Sequence, residues 1–232
     1  MTAQVVPKTP EAIVSYAFEI LKCAGLLDTQ MNASTWRHFL EAERLIEKHF
    51  EVPWTTITPL MRRFLFALSA STRPRRIVGA GTYAGFAFAW IACGAAVGEG
   101  PEKLLEAVGL DIDPDATTLA RANSAHLGLN DVLRFETADA AGWLRNLREP
   151  IDLLYIDIDE PDGRKRGYLD VLRAAQPHLA PGAFVMAHDP CVPLFADDFA
   201  DFHSMIERDS CFIGPQVLPL DECGVSLSRV TP

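Results

Sequence analysis

Apolar residues recur at three- and four-residue intervals from Pro10 to about Ser71, without two-residue alternation, and this spacing predicts three helices at about 11–26, 34–50 and 56–71. Gly25 is placed to end the first, Ser34 to cap the second, and Pro53 to interrupt the chain before the third. After Thr72-Arg73-Pro74 the texture changes: short Val/Ile/Leu runs alternate with helical stretches, as βαβ units around a parallel sheet require. The predicted strands are 75–79, 106–111, 132–136, 151–157 and 182–188, and the predicted helices 84–97, 114–127, 140–148, 164–179 and 196–208. The tail departs from this rhythm. Cys211-Phe212-Ile213 and Val225-Ser226-Leu227-Ser228 read as strands with no helix between them, so a hairpin closes the sheet. The expected organisation is a helical lid over residues 1–72 and an α/β domain over 73–232.

Bulk properties narrow the partners. At 232 residues the chain suffices for one α/β core with an appendage, and 49% hydrophobic against 22% charged residues is ordinary globular composition. A net charge of -10 repels nucleic-acid backbones and anionic membranes, so no nucleic acid and no membrane are expected as partners. The one basic cluster, Arg73, Arg75 and Arg76, reads as a solvated turn. Five cysteines without a C-x-x-C pair argue against a disulfide framework and a zinc site, and fit a reducing cytoplasm. The N-terminal residues lack the basic start and apolar stretch of a signal peptide, and the longest apolar run, Phe86 to Val97, is too short to span a bilayer.

Candidate chemistry gathers where strands should end. Arg76-Ile77-Val78 runs into Gly79-Ala80-Gly81-Thr82-Tyr83-Ala84-Gly85, where glycines permit a sharp turn and close approach of a ligand, and the following helix N-terminus offers N–H groups. Asp111, ending the next strand, is an acceptor-only carboxylate suited to two ribose hydroxyls. Asp113 reads as the cap of the helix begun by Pro114. Asp139 can serve an adenine amine or cap a helix. Asp157-Ile158-Asp159-Glu160 puts three carboxylates at the carboxyl edge of the sheet, the edge on which open α/β sheets bind ligands.

These residues together resemble the class I methyltransferases that use S-adenosylmethionine (SAM), above all the small O-methyltransferases of the catechol and caffeoyl-coenzyme A type. The similarity covers about residues 55–230 and rests on Ile77 to Gly85, Asp111-Ile112-Asp113-Pro114, Ala138-Asp139, Tyr155-Ile156-Asp157, Leu179-Ala180-Pro181-Gly182 and the Gly214 to Leu220 segment. It implies a Rossmann-like, seven-stranded sheet with a reversed last strand. It also implies SAM as cofactor: methionine and sulfonium near Gly79, Gly81, Thr82, Tyr83, Gly85 and Asp157, ribose on Asp111, and adenine near Ile112, Ala138 and Asp139. By analogy with relatives a homodimer is implied.

Three positions depart from that pattern. Gly79 stands where relatives carry an acidic residue, Asp159 is followed by Glu160 where metal-dependent relatives have an Asp-Lys pair, and the fifth strand ends in His188-Asp189 rather than Asp-Asn. No metal is therefore expected, although Asp157, His188 and Asp189 have the right chemistry for one. The leading expectation is methyl transfer to a small-molecule hydroxyl or amine, with His188 or Asp189 as general base and Asp157 orienting donor or acceptor. Tyr16, Trp54 or Tyr83 are the aromatics that could face the sulfonium. The second reading is cyclisation of SAM itself to azetidine-2-carboxylate with release of methylthioadenosine, since the chain also resembles azetidine-2-carboxylate synthases in outline. A NAD-binding oxidoreductase and a SAM-binding regulator are more remote.

Overall fold

The computed structural model describes residues 8–52, 57–97 and 103–232; Pro53 and Trp54 lie outside them. Three helices lead: α1 (Pro10–Cys23), α2 (Thr35–His49) and α3 (Pro59–Thr72). Thr9 and Thr58 accept hydrogen bonds from Ala12 N and Met61 N, and each is followed by a proline at the first helical position, where a missing N–H costs nothing. Gly25, at φ 74°, closes α1 as expected, with Gly25 N donating to Lys22 O and Leu26 N to Leu21 O. Ser34 is not a side-chain cap: its hydroxyl turns back to Asn32 Oδ1 at 3.2 Å, because Asn32 already binds the Ser34 N–H.

The remainder alternates: β1 (Arg76–Ala80), α4 (Phe86–Ala95), β2 (Glu106–Asp111), α5 (Pro114–Ser124), β3 (Leu133–Thr137), α6 (Ala140–Arg145), β4 (Ile151–Ile156), α7 (Gly167–Ala175), β5 (Leu179–His188), α8 (Ala196–Arg208), β6 (Phe212–Leu218) and β7 (Val225–Val230). The sheet order is β3-β2-β1-β4-β5-β7-β6. The first five strands are parallel, and β7 enters antiparallel between β5 and β6. The predicted hairpin is thus present, and it leaves no parallel second half of the kind a dinucleotide-binding oxidoreductase needs.

Successive strand residues face opposite layers, as the period of two demands. Ile77, Leu153, Tyr155, Phe184 and Met186 join one core with α1 to α4, while Val78, Leu154, Ile156, Val185 and Ala187 join the other with α6 to α8. The leading helices share the first core. Phe39 of α2 stacks on Trp90 of α4 with ring centres 5.0 Å apart and meets Phe66 of α3 edge-on at 5.5 Å. Two spans differ from the sequence expectation. The helix expected at 164–179 begins only at Gly167 and ends in a 3-10 turn at Gln176–His178, where Pro177 breaks it, and β5 starts early, with Leu179 paired to Ile151 across a register shift. Among the described residues no helix is long and apolar enough to cross a membrane.

Candidate active site

The carboxyl ends of β1 to β5 open onto one cleft of about 650 Å³. Its floor is the turn after β1. Gly81 sits at φ 77° directly against the Asp157 backbone, and Tyr83 is held at φ 45°, a conformation that costs a non-glycine residue free energy and persists only where its surroundings enforce it. The enforcing contacts are visible: Gly81 N and Thr82 N donate to Leu110 O, Gly85 N to Thr82 O, and Tyr83 N to Asp111 Oδ2 at 2.7 Å. These four N–H groups hold the turn itself, ahead of the first residue of α4.

Asp111 also accepts from Asp113 N through Oδ1 at 3.0 Å, so both carboxylate oxygens are oriented while each keeps a lone pair for a ligand. Asp113 caps α5, accepting from Asp115 N at 2.8 Å. Asp139 caps α6 through Oδ2, accepting from Gly142 N at 2.6 Å, and lines the cleft as well, so both of its candidate roles are open to it. Gly81, Thr82, Tyr83, Asp111, Ile112, Ala138, Asp139, Asp157, His188 and Asp189 all line the cleft. Gly79 and Gly85 do not. A Cβ on Gly79 would press into the Phe88 ring, which explains why no acidic side chain stands there, and one on Gly85 would meet Phe135. Tyr83 is 44% exposed at the cleft, whereas Tyr16 is an exposed residue of α1 outside it.

The other end of the cleft is a charge cluster. Asp157 Oδ2 accepts from the Tyr155 hydroxyl at 3.1 Å, and His188 Nδ1 lies 3.6 Å from Asp157 Oδ2 and 3.0 Å from Asp189 Oδ1. Neither ring nitrogen of His188 completes a hydrogen bond within the described residues. Asp189 occupies φ 74°, a second strained position in the site. Burial pulls the His188 pKa down, but Asp157 and Asp189 outweigh it and raise it to about 10. Burial likewise raises both carboxyls, and His188 and Lys165 more than offset that, holding Asp157 and Asp189 below the ordinary range. The two carboxylates thus favour the imidazolium form of His188, which would make it a donor where a general base was expected.

The residue the sequence reading missed is Lys165. Its side chain is 2% exposed, and Nζ lies 2.8 Å from Asp189 Oδ2, 3.0 Å from Asp159 Oδ1 and 3.3 Å from Asp157 Oδ1. The loop after β4 folds back on itself to deliver it, with Gly163 N donating to Glu160 O and Glu160 N to Arg164 O. Asp198, in the first turn of α8, then clamps the returning loop: Arg164 binds it through Nε and Nη2 at 2.8 and 3.0 Å, and Lys165 N donates to it at 3.0 Å. The lysine absent beside Asp159 in sequence is thus present beside it in space. Asp157, His188 and Asp189 do bring one ligand atom each within 4.8 Å of one another, but with Lys165 on the same carboxylates this donor set does not fit a divalent ion.

The sheet order, with β7 antiparallel between β5 and β6, and the helices around it are the Rossmann-like methyltransferase fold that the motifs implied. Residues 78–190 match the family model described as Methyltransferase domain. Among curated proteins the chain is similar to a catechol O-methyltransferase of Mycobacterium tuberculosis, 31% identical over 111 residues (47% of this chain, 48% of the relative). It is also similar to a catechol O-methyltransferase of Niastella koreensis, 26% identical over 140 residues (59% and 58%). The matches span about half the length of these relatives. Among solved structures, an O-methyltransferase from Bacillus cereus in complex with S-adenosylhomocysteine superimposes with a TM-score of 0.65 at 18% identity, covering 96% of this chain and 100% of that one. An S-adenosylhomocysteine-bound methyltransferase of Podospora anserina gives 0.67 at 15%, covering 99% and 100%. These likenesses show the fold.

Proposed function

We propose that this chain transfers the methyl group of SAM to a hydroxyl or amine of a small molecule, with a catechol as the first acceptor to try. The observation that carries the reading is the single cleft that joins the Gly81-Thr82-Tyr83 turn, Asp111 and Asp139 to the Asp157, His188, Asp189 and Lys165 cluster. The matched Methyltransferase domain and the names of the curated relatives support it. So do the neighbours solved with SAM or S-adenosylhomocysteine, as to the cofactor.

In this reading Asp111 takes the ribose hydroxyls with the lone pairs left free by Tyr83 N and Asp113 N. Ile112, 69% exposed on the cleft, and Ala138 form an apolar shelf for adenine, with Asp139 on its amine. The turn at Gly81 to Tyr83 and the Asp157 end of β4 hold the methionine and sulfonium. With SAM bound, the acceptor lone pair would displace neutral S-adenosylhomocysteine from the methyl carbon, and the acceptor proton would leave to water by way of Asp159, the carboxylate of the cluster most open to solvent. His188, already protonated, donates to the acceptor oxygen and stabilises the charge that develops on it, and much of the remaining acceleration comes from holding donor and acceptor in line.

The test is to incubate the protein with SAM and catechol and to measure S-adenosylhomocysteine and methylated catechol by mass spectrometry, extending to other phenols and amines. Matched amounts of both products are expected with at least one acceptor. Methylthioadenosine from SAM alone, above an enzyme-free control, would replace this reading with the cyclisation. SAM binding without either product across the acceptor panel would make the chain a SAM-binding regulator.

A further inference from the structure

The two carboxylates at the heart of the cleft are each engaged on both oxygens, and by two different cations. Lys165 Nζ bridges Asp157 Oδ1 and Asp189 Oδ2 at 3.3 and 2.8 Å, and His188 Nδ1 faces the other pair, Asp157 Oδ2 and Asp189 Oδ1, at 3.6 and 3.0 Å. An ammonium has three N–H donors and no acceptor. Those of Lys165 have three carboxylate partners, the third being Asp159 at 3.0 Å. The rest of its surroundings suit a cation as well: its Nζ lies 5.3 Å from the centre of the Tyr168 ring and 5.4 Å from that of Phe195. Its backbone is fixed by Asp198, itself bound to Arg164, so the ammonium is held from main chain to tip rather than resting in the cleft by chance.

We propose that Lys165 is a built-in cation that holds the Asp157–Asp189 pair in working geometry, so that the site needs no divalent metal ion. A divalent ion could reach these carboxylates only by expelling the ammonium from one side or by taking the proton of His188 on the other and then sitting against the ammonium. Both routes oppose charge with like charge in a site largely closed to water, where such repulsion is least screened. Its ammonium is enclosed by the three carboxylates it pairs with rather than presented to an acceptor, so Lys165 is a positioning residue. It fixes the oxygens that His188 and the acceptor must find.

Binding of Mn²⁺ by chelator-treated protein, followed by electron paramagnetic resonance and calorimetry, tests this without any turnover. Wild-type protein is expected to show no saturable binding below millimolar Mn²⁺. Lys165→Ala should bind one Mn²⁺ at least tenfold more tightly than wild type, Asp189→Asn in that background should abolish the gain, and Lys165→Arg should restore wild-type behaviour. Lys165→Met, which keeps the buried volume, serves if the alanine variant fails to fold. Sub-millimolar binding by wild-type protein that is lost in Asp189→Asn would overturn the proposal, and so would alanine and methionine variants that fold yet gain no affinity. Because no SAM is present, this outcome is separate from whether methyl transfer occurs.

Discussion

The Gly81 backbone passes so close beneath Asp157 that a methyl group on Gly81 would run into the Asp157 carbonyl oxygen, which ties the turn after β1 to the end of β4. Gly81→Ala therefore adds a clash to the left-handed strain of about 1–2 kcal/mol that any alanine suffers at φ 77°. Gly128, at φ 72° with nothing within 4 Å of an added Cβ, isolates the strain. Gly128→Ala should lower the melting temperature by about 2–8 °C, at about 2–4 °C per kcal/mol for a chain of this size. Gly81→Ala should lower it further and weaken SAM binding at least tenfold. Equal effects of the two changes in differential scanning fluorimetry would mean that the Gly81–Asp157 approach is not needed.

Asp111 is both a strut and a candidate ribose ligand, and the two roles separate by substitution. Asp111→Asn keeps an acceptor for Tyr83 N but loses one ribose acceptor and the charge, whereas Asp111→Ala loses the strut as well. Calorimetric SAM affinity should fall by about 1.5–3 kcal/mol in Asp111→Ala, the usual worth of a hydrogen bond to a charged group, and by less in Asp111→Asn. Unchanged affinity in the alanine variant would remove Asp111 from the site.

How much of this was legible follows from how the information lies along the chain. Buried parallel strands are continuous apolar runs, and Ile151 to Ile156 announces itself; the terminal hairpin shows because two strand-like runs lack a helix between them. Asp111, Asp139, Asp157, His188 and Asp189, expected at the cleft because strand ends are where such sheets bind ligands, do line it. Lys165 was not expected there, since it lies six residues beyond Asp159, in the charged run Glu160 to Arg166 and at the start of the helix expected over 164–179. The turn at Asp162-Gly163 is local, but the Asp198 clamp that sets Lys165 in the cleft comes from far along the chain. The raised pKa of His188 was hidden in part for the same reason, since Asp189 adjoins it in the chain but Asp157 meets it only in space.

The leading helices belong to the core beneath the site. Phe39 is 1% exposed and stacked on Trp90, so Phe39→Ala should cost about 3–5 kcal/mol and lower the melting temperature by roughly 6–20 °C. A fall of under 2 °C would show that α2 is only laid over the sheet domain. Chemical denaturation should give one cooperative transition rather than two, because α3 packs on both sides, against α1 and α2 and against α4.

The electrostatics of the cluster set a pH window for stability. His188 has its pKa raised from 6.5 to about 10 in the folded chain, so its contribution is full below about pH 6.5 and is lost as pH climbs toward 10. Asp157 and Asp189 are shifted the other way, so theirs is present above the ordinary carboxylate value of 3.8 and disappears as pH falls below it. Each tenfold change in proton affinity is worth ~1.4 kcal/mol, or about 3–6 °C in a chain of this size. Wild-type protein should therefore lose several degrees more than His188→Gln between pH 7 and 10, while the two share a plateau between about pH 5 and 6.5 offset by the lost ion pairs. Parallel curves for wild type and variant across the alkaline range would mean that His188 is neutral in the resting site, and would return it to the role of general base.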